Sequence, residues 1–225
     1  MISQGKFSTE LNEIQNFLNE LDLLDERNYS PADIENVSLF RHTNFKENWK
    51  LIMENNIYDF LLKDNSLLIF KFNSQNNTAS YTYIDCPYKC LSYNDFIAQE
   101  GFEDDFSKTF VEEYYLYVSE CKLKENAVYI RYDVDSKGYT NGLHPLSHMH
   151  IGFNNDIRIG IDKFLTPKSF ILFLLRQHYV GYWKNILKSD PKNTILTYYE
   201  NHKSHLPSVP RKFFSNYDLH ELYLQ

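Results

Sequence analysis

The stretch HPLSHMHIGFNNDIRIGID, residues 144–162, predicts how the strands around it are arranged. Apolar and polar residues alternate in two runs, His148–Phe153 and Ile157–Ile161, which a segment rich in Asn separates. Alternation with a period of two is typical of a half-buried strand, and Asn and Asp favour tight turns. The stretch therefore predicts an antiparallel hairpin with one apolar and one polar face.

The length of the turn decides which side chains face each other in this hairpin. A two-residue turn at Asn154-Asn155 would place polar residues opposite apolar ones on both faces. We predict a three-residue loop, residues 154–156, in which Asn or Asp takes the left-handed conformation that such a loop needs. This register gives four opposed pairs: Ile151 with Ile159, His150 with Gly160, His148 with Asp162, and Arg158 with Gly152.

A further strand is predicted over Val128–Asp135, where Val and Ile alternate with charged residues. If this strand pairs beside the hairpin, one face of the sheet gathers the following side chains: Arg131, Asp133, His148, His150, Arg158 and Asp162. We call this set the polar sheet face. Gly152 and Gly160 would leave space above it for a ligand, and His144 precedes it. The alternative is an exposed face with ordinary salt bridges.

Three kinds of function fit the polar sheet face. A metal-free nuclease or phosphodiester hydrolase needs an imidazole that exchanges protons near neutral pH and a cation that holds phosphate. The candidate catalytic residues are then His148, His150, Arg131 and Asp133, and the candidate substrate-binding residues are Arg158, His144, Gly152, Gly160 and Asp162. Alternatively, His144, His148 and His150 bind a divalent transition metal, with Asp133 as another candidate ligand. The third interpretation is binding of RNA or a nucleotide without chemistry.

Helical patterns flank the predicted strands. Apolar residues three and four apart over Glu10–Leu24 predict an amphipathic helix with Ser8 or Thr9 as its N-cap. Pro31 begins a second short helical candidate, and a third spans Phe45–Asn55. Thr166-Pro167 is typical of a helix start, and the pattern predicts a long helix that ends near Leu187.

The remaining elements complete an α+β pattern. Three short runs predict a β-meander: Tyr58–Leu62, Leu67–Phe72 and Ala79–Ile84. Phe110–Val118 fits a strand or a helix. We predict one α+β domain over residues 1–225, with a helical part at 1–56, a mostly antiparallel sheet at 57–162, and a helix plus tail at 163–225. The long helix is expected on the apolar face of the sheet.

Charge and cysteine content narrow the class of protein. Residues 1–120 carry 9 Lys and Arg against 21 Asp and Glu, whereas residues 121–225 carry 14 against 9. The histidine-rich stretch thus lies in the positive half, which favours a phosphate-bearing ligand. The acidic, Tyr-rich half suits a rival role as a non-catalytic subunit that docks to a protein partner encoded nearby. Cys86 and Cys90 have a spacing unusual for structural zinc, so buried, reduced thiols are the better interpretation. We expect a cytoplasmic protein with no membrane span.

The run Arg131-Tyr132-Asp133, followed by His144-Pro145, His148, His150, Gly152, Arg158, Pro167 and Phe170, resembles a bacterial family known as domain of unknown function 2290. The resemblance covers residues 128–183. It implies a mobile or defence-associated context and no established activity. The same residues are similar to a family of small toxins from toxin–antitoxin loci, and that similarity implies functional positions at Arg131, Asp133, His148 and His150.

Overall fold

The computed structural model describes residues 3–32, 43–102, 108–155, 157–190, 192 and 194–221. Within these residues, seven strands form one antiparallel sheet in the order β1-β2-β3-β4-β5-β6-β7. The strands are Leu24–Arg27 (β1), Phe60–Leu62 (β2), Leu67–Asn73 (β3), Thr78–Ile84 (β4), Tyr129–Val134 (β5), Ser147–Ile151 (β6) and Ile157–Gly160 (β7). The predicted α+β class with an antiparallel sheet is confirmed.

The described helices are Gln4–Glu20 (α1), Phe45–Glu54 (α2), Tyr93–Gln99 (α3), Val111–Glu120 (α4), Pro167–Gln177 (α5), Val180–Ser189 (α6), Thr194–Ser204 (α7) and Asn216–Glu221 (α8). A short 3-10 helix spans Arg211–Phe213. The meander strands and α2 lie within two residues of their predicted bounds. The helix predicted to begin at Pro31 falls outside the described residues.

One compact unit comprises the described parts of Met1–Asp22, Phe70–Thr82 and Ile130–Gln225. Its core joins the apolar side of the sheet to α1 and α5. The rings of Phe7 and Phe72 stack with centroids 5.2 Å apart, and Phe70 meets Phe170 of α5 edge-on at 6.2 Å. Amphipathic helices on one face of an antiparallel sheet bury apolar surface from both elements, which stabilises the unit.

The other compact unit comprises the described parts of Leu23–Ile69 and Tyr83–Tyr129. Its core is an aromatic-rich cluster from α2, α3, α4 and the adjoining strands, and it includes Trp49, Phe96 and Tyr114. Asn65 lies inside this cluster, where its carbonyl accepts a hydrogen bond from Trp49 Nε1 at 2.9 Å and its Oδ1 accepts one from Tyr114 Oη at 2.8 Å. These bonds satisfy polar groups whose burial would otherwise be costly.

Two expectations for the N-terminal half need correction. The first helix begins earlier than predicted, because Ser3 rather than Ser8 or Thr9 caps it, accepting a hydrogen bond from Lys6 N at 3.2 Å. This helix also ends earlier, at Glu20, since Asp22 takes a left-handed conformation with φ of 56°. The chain then enters β1, a strand that the helical pattern did not predict.

Phe110–Val118, for which the sequence fits a strand or a helix, is largely helical, as Tyr114 and Val118 of α4 are buried one turn apart.

The long helix predicted to run from Pro167 to near Leu187 is wrong, because it breaks between α5 and α6. Tyr179 leaves the helical region with ψ of 49°, and its N–H bonds to the carbonyl of Leu174, five residues back. Gly181, which follows the break, is a weak helix former. After the break Trp183 packs against Tyr199 of α7, with ring centroids 5.7 Å apart.

Candidate functional site

Strand pairing brings the polar side chains of β5, β6 and β7 to one face of the sheet. Two rows cross the three strands: Arg131, His150 and Arg158 in one, and Asp133, His148 and Gly160 in the other. Paired residues of neighbouring strands project to the same side. The imidazoles, guanidinium groups and carboxylate of these rows therefore share a face, which is the geometry that the alternating sequence predicts.

The register of the hairpin differs from the predicted one by two residues. Ile151 pairs with Ile157 instead of Ile159, so the connection comprises residues 152–156 rather than three residues. Gly152 takes φ of 95° and leaves the strand, and Asn155 takes the expected left-handed conformation with φ of 59°. A slip of two residues changes the partners but keeps every side chain on its face. The polar sheet face thus persists with altered pairs.

His148 and His150 form a close imidazole pair. Their Nε2 atoms lie 3.0 Å apart, and the Nδ1 atom of His148 lies 2.8 Å from the carbonyl oxygen of Pro145. A carbonyl oxygen only accepts, so His148 Nδ1 carries a proton and His148 Nε2 presents a lone pair. In the neutral pair, His150 Nε2–H donates to that lone pair. The Nδ1 atom of His150 is buried and makes no hydrogen bond with the described residues.

Asp133 lies beside the imidazole pair. Its Oδ2 is 3.6 Å from Nε2 of His150 and accepts a hydrogen bond from Arg131 Nε at 2.7 Å. Its Oδ1 accepts a bond from Ser80 Oγ at 2.8 Å, and Arg131 Nη2 donates to Asn155 Oδ1 at 3.2 Å. These contacts fix the orientation of the carboxylate. Across the described residues, one group of three ligand-type side chains has its ligand atoms within 4.8 Å of one another: Asp133, His148 and His150.

Both imidazoles are held in their neutral form. The side chains are almost wholly buried, with His148 1% and His150 2% exposed. Burial lowers the pKa of both imidazoles, and the nearby Arg131 and His148 add to the effect for His150, whose pKa falls to about 4. At neutral pH each ring is therefore uncharged, which is the form of histidine that binds a metal ion.

The segment between β5 and β6 covers the pair. The ring of His144 lies edge-on to that of His148, with centroids 4.7 Å apart. Pro145 follows, and a Cβ added to Gly160 would lie 3.0 Å from Pro145 Cγ. Pro145, rather than open space, therefore lies above Gly160. The covering segment packs beside His148 and supplies the carbonyl that orients it.

The other predicted site residues are distributed around this centre. His144 contacts His148, but its Nδ1 atom is buried without a hydrogen bond to the described residues, and it does not join the three-ligand group. Arg158 is exposed and lies opposite His150. Gly152 lies in the turn, and Asp162 lies two residues beyond the end of β7 and is exposed. Their predicted roles in substrate binding stay predictions.

Sequence analysis did not identify three groups that hydrogen-bond to the site residues: Ser80, Asn155 and the carbonyl of Pro145. Ser80 had a signal, because Thr78, Ser80 and Thr82 alternate with Ala79, Tyr81 and Tyr83 along β4. That pattern gives the strand a polar side. It does not say which residue of β5 would lie beside Ser80. The Pro145 carbonyl carried no signal, since a main-chain acceptor is present at every position.

The chain matches, over residues 14–214, a family described as an uncharacterized conserved protein (DUF2290). The chain belongs to the DUF2290 family. The match extends well beyond residues 128–183, on which the resemblance was recognised. No curated protein and no solved structure matches this DUF2290 chain. The comparisons do not show the similarity to small toxins. In the described part of the chain, the helices are too short or too polar to cross a bilayer.

Proposed function

We propose that this DUF2290 protein binds a divalent transition metal ion through Asp133, His148 and His150 and hydrolyses a phosphate-bearing substrate there. The observation that carries the proposal is the convergence of two imidazole nitrogens, 3.0 Å apart, with a carboxylate oxygen 3.6 Å from one of them. Metal–nitrogen bonds are about 2.0–2.1 Å long, so two nitrogens that bind one ion would lie about 3–3.4 Å apart for bond angles between 90° and the tetrahedral angle. The pair has the spacing of adjacent ligands.

The surroundings of the three ligands suit a metal ion. A ligating histidine usually donates its other ring N–H to a carbonyl or carboxylate, and His148 does so to Pro145. Two imidazoles and one carboxylate are a donor set that binds zinc, iron and similar ions and leaves coordination positions open. An ion bound there would supply a Lewis acid and an acidified water molecule.

Two arginines flank His150 in the first row of the polar sheet face. Arg131 is held by Asp133 and Asn155, which fixes a positive charge beside the site. Arg158 is exposed on the other side of His150. A guanidinium group binds phosphate oxygens through paired hydrogen bonds. We therefore assign Arg158 to substrate phosphate and Arg131 to positioning Asp133, with RNA or a nucleotide as the substrate class.

The contact between the two Nε2 atoms distinguishes this proposal from metal-free acid–base catalysis by the same histidines. A general base must reach the substrate proton, and its pKa is best placed near the working pH. Here the reactive nitrogens face each other and burial lowers the pKa of both rings. A metal ion would use this mutual orientation, whereas proton transfer to a substrate would not. The bacterial defence or toxin-associated context implied by the resemblance is part of the proposal.

The experiment compares the full chain before and after chelation and reconstitution with Zn²⁺, Mn²⁺ or Co²⁺. Hydrolysis of bis(p-nitrophenyl) phosphate and of a short single-stranded RNA is measured for the wild type and for the double variant His148→Ala, His150→Ala. The matched control is His205→Ala, which changes the exposed histidine directly after α7. We expect metal-dependent hydrolysis that the double variant loses by at least about 100-fold and the control keeps.

Full activity in chelated protein would contradict the metal-dependent mechanism and favour acid–base catalysis. Metal binding without hydrolysis of either substrate would contradict the hydrolase and favour a non-catalytic subunit. Circular dichroism of each variant separates a lost ligand from a lost fold.

A further inference from the structure

A cavity of about 690 Å³ lies in the same compact unit as the three ligands. Its sheet wall includes Met149 and Ile151, which alternate along β6 with His148 and His150. Because successive side chains of a strand point to opposite faces, the cavity lies on the other side of the sheet from the proposed metal site. It is therefore a separate feature of the protein. We call it the apolar cavity.

The lining of the apolar cavity is mostly aliphatic and aromatic. Ile159 of β7 continues the sheet wall, and Leu172 and Phe173 of α5 form the facing wall. The volume falls within the roughly 300–1,000 Å³ typical of small-molecule sites. The cavity is partly open to solvent, so a ligand has a path into it. Binding of an apolar ligand there would remove apolar surface of the lining from water, which is favourable.

The apolar cavity exists because α5 and α7, the helices that border this end of the sheet, leave part of the apolar face of the sheet uncovered. On β5 the residues Ile130, Tyr132 and Val134 are buried, whereas Ile151 and Ile159 are half-buried. Helix α7, which forms part of the wall through Tyr199, has no buried residue. The sheet thus presents an apolar face that α5 and α7 border and do not fill.

Polar groups of the lining concentrate on the segment before α5 and on α7. Lys163 and Lys203 bring two ammonium groups, and His202 accompanies them, against one exposed carboxylate from Asp162. Lys163 Nζ donates to Ser208 Oγ at 3.0 Å. The lining therefore combines an aliphatic body with a net positive charge.

The amide groups at the start of α5 do not compete for an anion. Lys168 N donates to Glu10 Oε2 at 3.0 Å, and Ser169 N donates to the Thr166 hydroxyl at 3.3 Å. A carboxylate of the protein already occupies this helix N-terminus, so an incoming anion would meet the lysine ammonium groups instead.

We infer that the apolar cavity binds an amphipathic anion, a carboxylate with an unbranched aliphatic chain. The chain would lie against Met149, Ile159 and Leu172, and the carboxylate against Lys163 and Lys203. Burial of each methylene group adds to the affinity, which makes an aliphatic chain the favoured body for this lining. The inference does not depend on the proposed metal site, which faces the other side of the sheet.

The test measures binding of dodecanoate and of 1-dodecanol to the delipidated full chain by displacement of a fluorescent fatty acid. We expect saturable binding of both, with dodecanoate the tighter ligand. Ile159→Trp, a filling variant that places a bulkier side chain in the cavity, should weaken both ligands at least about 10-fold. Ile157→Trp is the matched control, because Ile157 is exposed on the same strand and does not line the cavity. Phe173→Trp provides a second filling variant should the first not fold.

The double variant Lys163→Gln, Lys203→Gln tests the charge. Each lysine should contribute about two- to five-fold to dodecanoate affinity and nothing to dodecanol affinity, so the preference for the acid disappears. Lys184→Gln, an exposed residue of α6, is the control. Absence of saturable binding, unchanged binding in both filling variants, or equal affinities of the acid and the alcohol for the wild type would overturn the inference.

Discussion

The His148–His150 pair in one compact unit and the Cys86–Cys90 pair in the other both consist of metal-ligand side chains, and they differ in what surrounds them. The His148 and His150 Nε2 atoms lie 3.0 Å apart, and the Cys86 and Cys90 Sγ atoms lie 3.7 Å apart. Both pairs are short-range motifs, with one and three intervening residues. The imidazole pair acquires Asp133 from the adjacent strand, whereas the thiol pair joins no group of three ligands among the described residues.

The neighbours of the thiol pair explain this difference. Cys86 Sγ accepts a bond from Tyr88 N at 3.5 Å, and Cys90 Sγ accepts one from Asn65 Nδ2 at 3.5 Å. Cys86 Sγ also lies 3.6 Å from the carbonyl oxygen of Tyr88, and among the described residues no imidazole or carboxylate joins the two sulfurs as a third ligand. Each of these short motifs supplies two ligands. A third ligand has to come from another element, and the pairing of β5 with β6 places Asp133 beside the two histidines.

The largest expected effect is on metal affinity. Asp133→Asn keeps the size of the side chain and removes its charge, so Zn²⁺ affinity should fall by at least about 100-fold. Loss of a residue that only hydrogen-bonds to a metal ligand typically lowers metal affinity by about 10- to 100-fold, so the loss of Asp133 should be larger. Cys86→Ser should leave the affinity unchanged. Isothermal titration of chelator-treated protein measures both. Equal losses in the two variants would contradict the contrast between the pairs.

The packing above the imidazole pair is tested by Gly160→Ala. The added methyl group would lie 3.0 Å from Pro145 Cγ, so Pro145 must move and the free energy of unfolding should fall by about 1–3 kcal/mol. Gly181→Ala in α6 meets nothing within 4 Å and should raise the free energy of unfolding by up to about 1 kcal/mol. Urea denaturation compares them. A neutral result at Gly160 would show that the segment above the pair is not closely packed.

The orientation of Asp133 is tested through Ser80. Ser80→Ala removes the donor to Asp133 Oδ1 and should weaken Zn²⁺ binding by about 10-fold, the usual size of such an outer contact. Ser74→Ala, in the turn of the same hairpin and exposed, serves as the control. Competition with a chromogenic chelator measures both affinities, and indistinguishable values would rule out a positioning role for Ser80.

The smallest expected effect concerns the reactivity of the thiol pair, Cys86 and Cys90. A hydrogen bond from the Cys86 thiol lowers the pKa of Cys90, whereas burial raises the pKa of Cys86. Below the ordinary thiol pKa, Cys90 therefore has the larger thiolate fraction and should be alkylated by iodoacetamide first. Cys86→Ala removes the donor and should move the pH profile of Cys90 upward. Mass spectrometry assigns the modified residue, and a profile unaffected by the substitution would contradict this hydrogen bond.

Much of the site followed from the sequence because strand alternation is a local property. Placement of His148, His150, Arg131 and Asp133 on one side depended only on their spacing and on adjacent strands. The exact partners depended on Gly152, whose left-handed conformation shifts the pairing by two residues. A register shift of two residues leaves each side chain on the same face of the sheet, so the site residues stay together despite the wrong pairing.

The elements that sequence analysis missed depend on tertiary contacts. Helix α7 buries no residue, so its sequence carried no clear apolar stripe. The break before α6 coincides with the packing of Trp183 on Tyr199, a contact with that unpredicted helix. Ser80 and the Pro145 carbonyl gain their importance only from what folding places beside them. Local pattern thus predicted the faces of strands, and it could not predict contacts between distant segments.

X-ray absorption spectroscopy of the Zn²⁺-loaded full chain shows which atoms hold the ion, since zinc–nitrogen and zinc–oxygen distances of about 2.0–2.2 Å differ from zinc–sulfur distances of about 2.3 Å. We predict one zinc ion with two imidazole ligands, light-atom ligands only, and a spectrum that Cys86→Ser leaves unchanged. A sulfur shell, or a spectrum without imidazole scattering, would contradict this prediction.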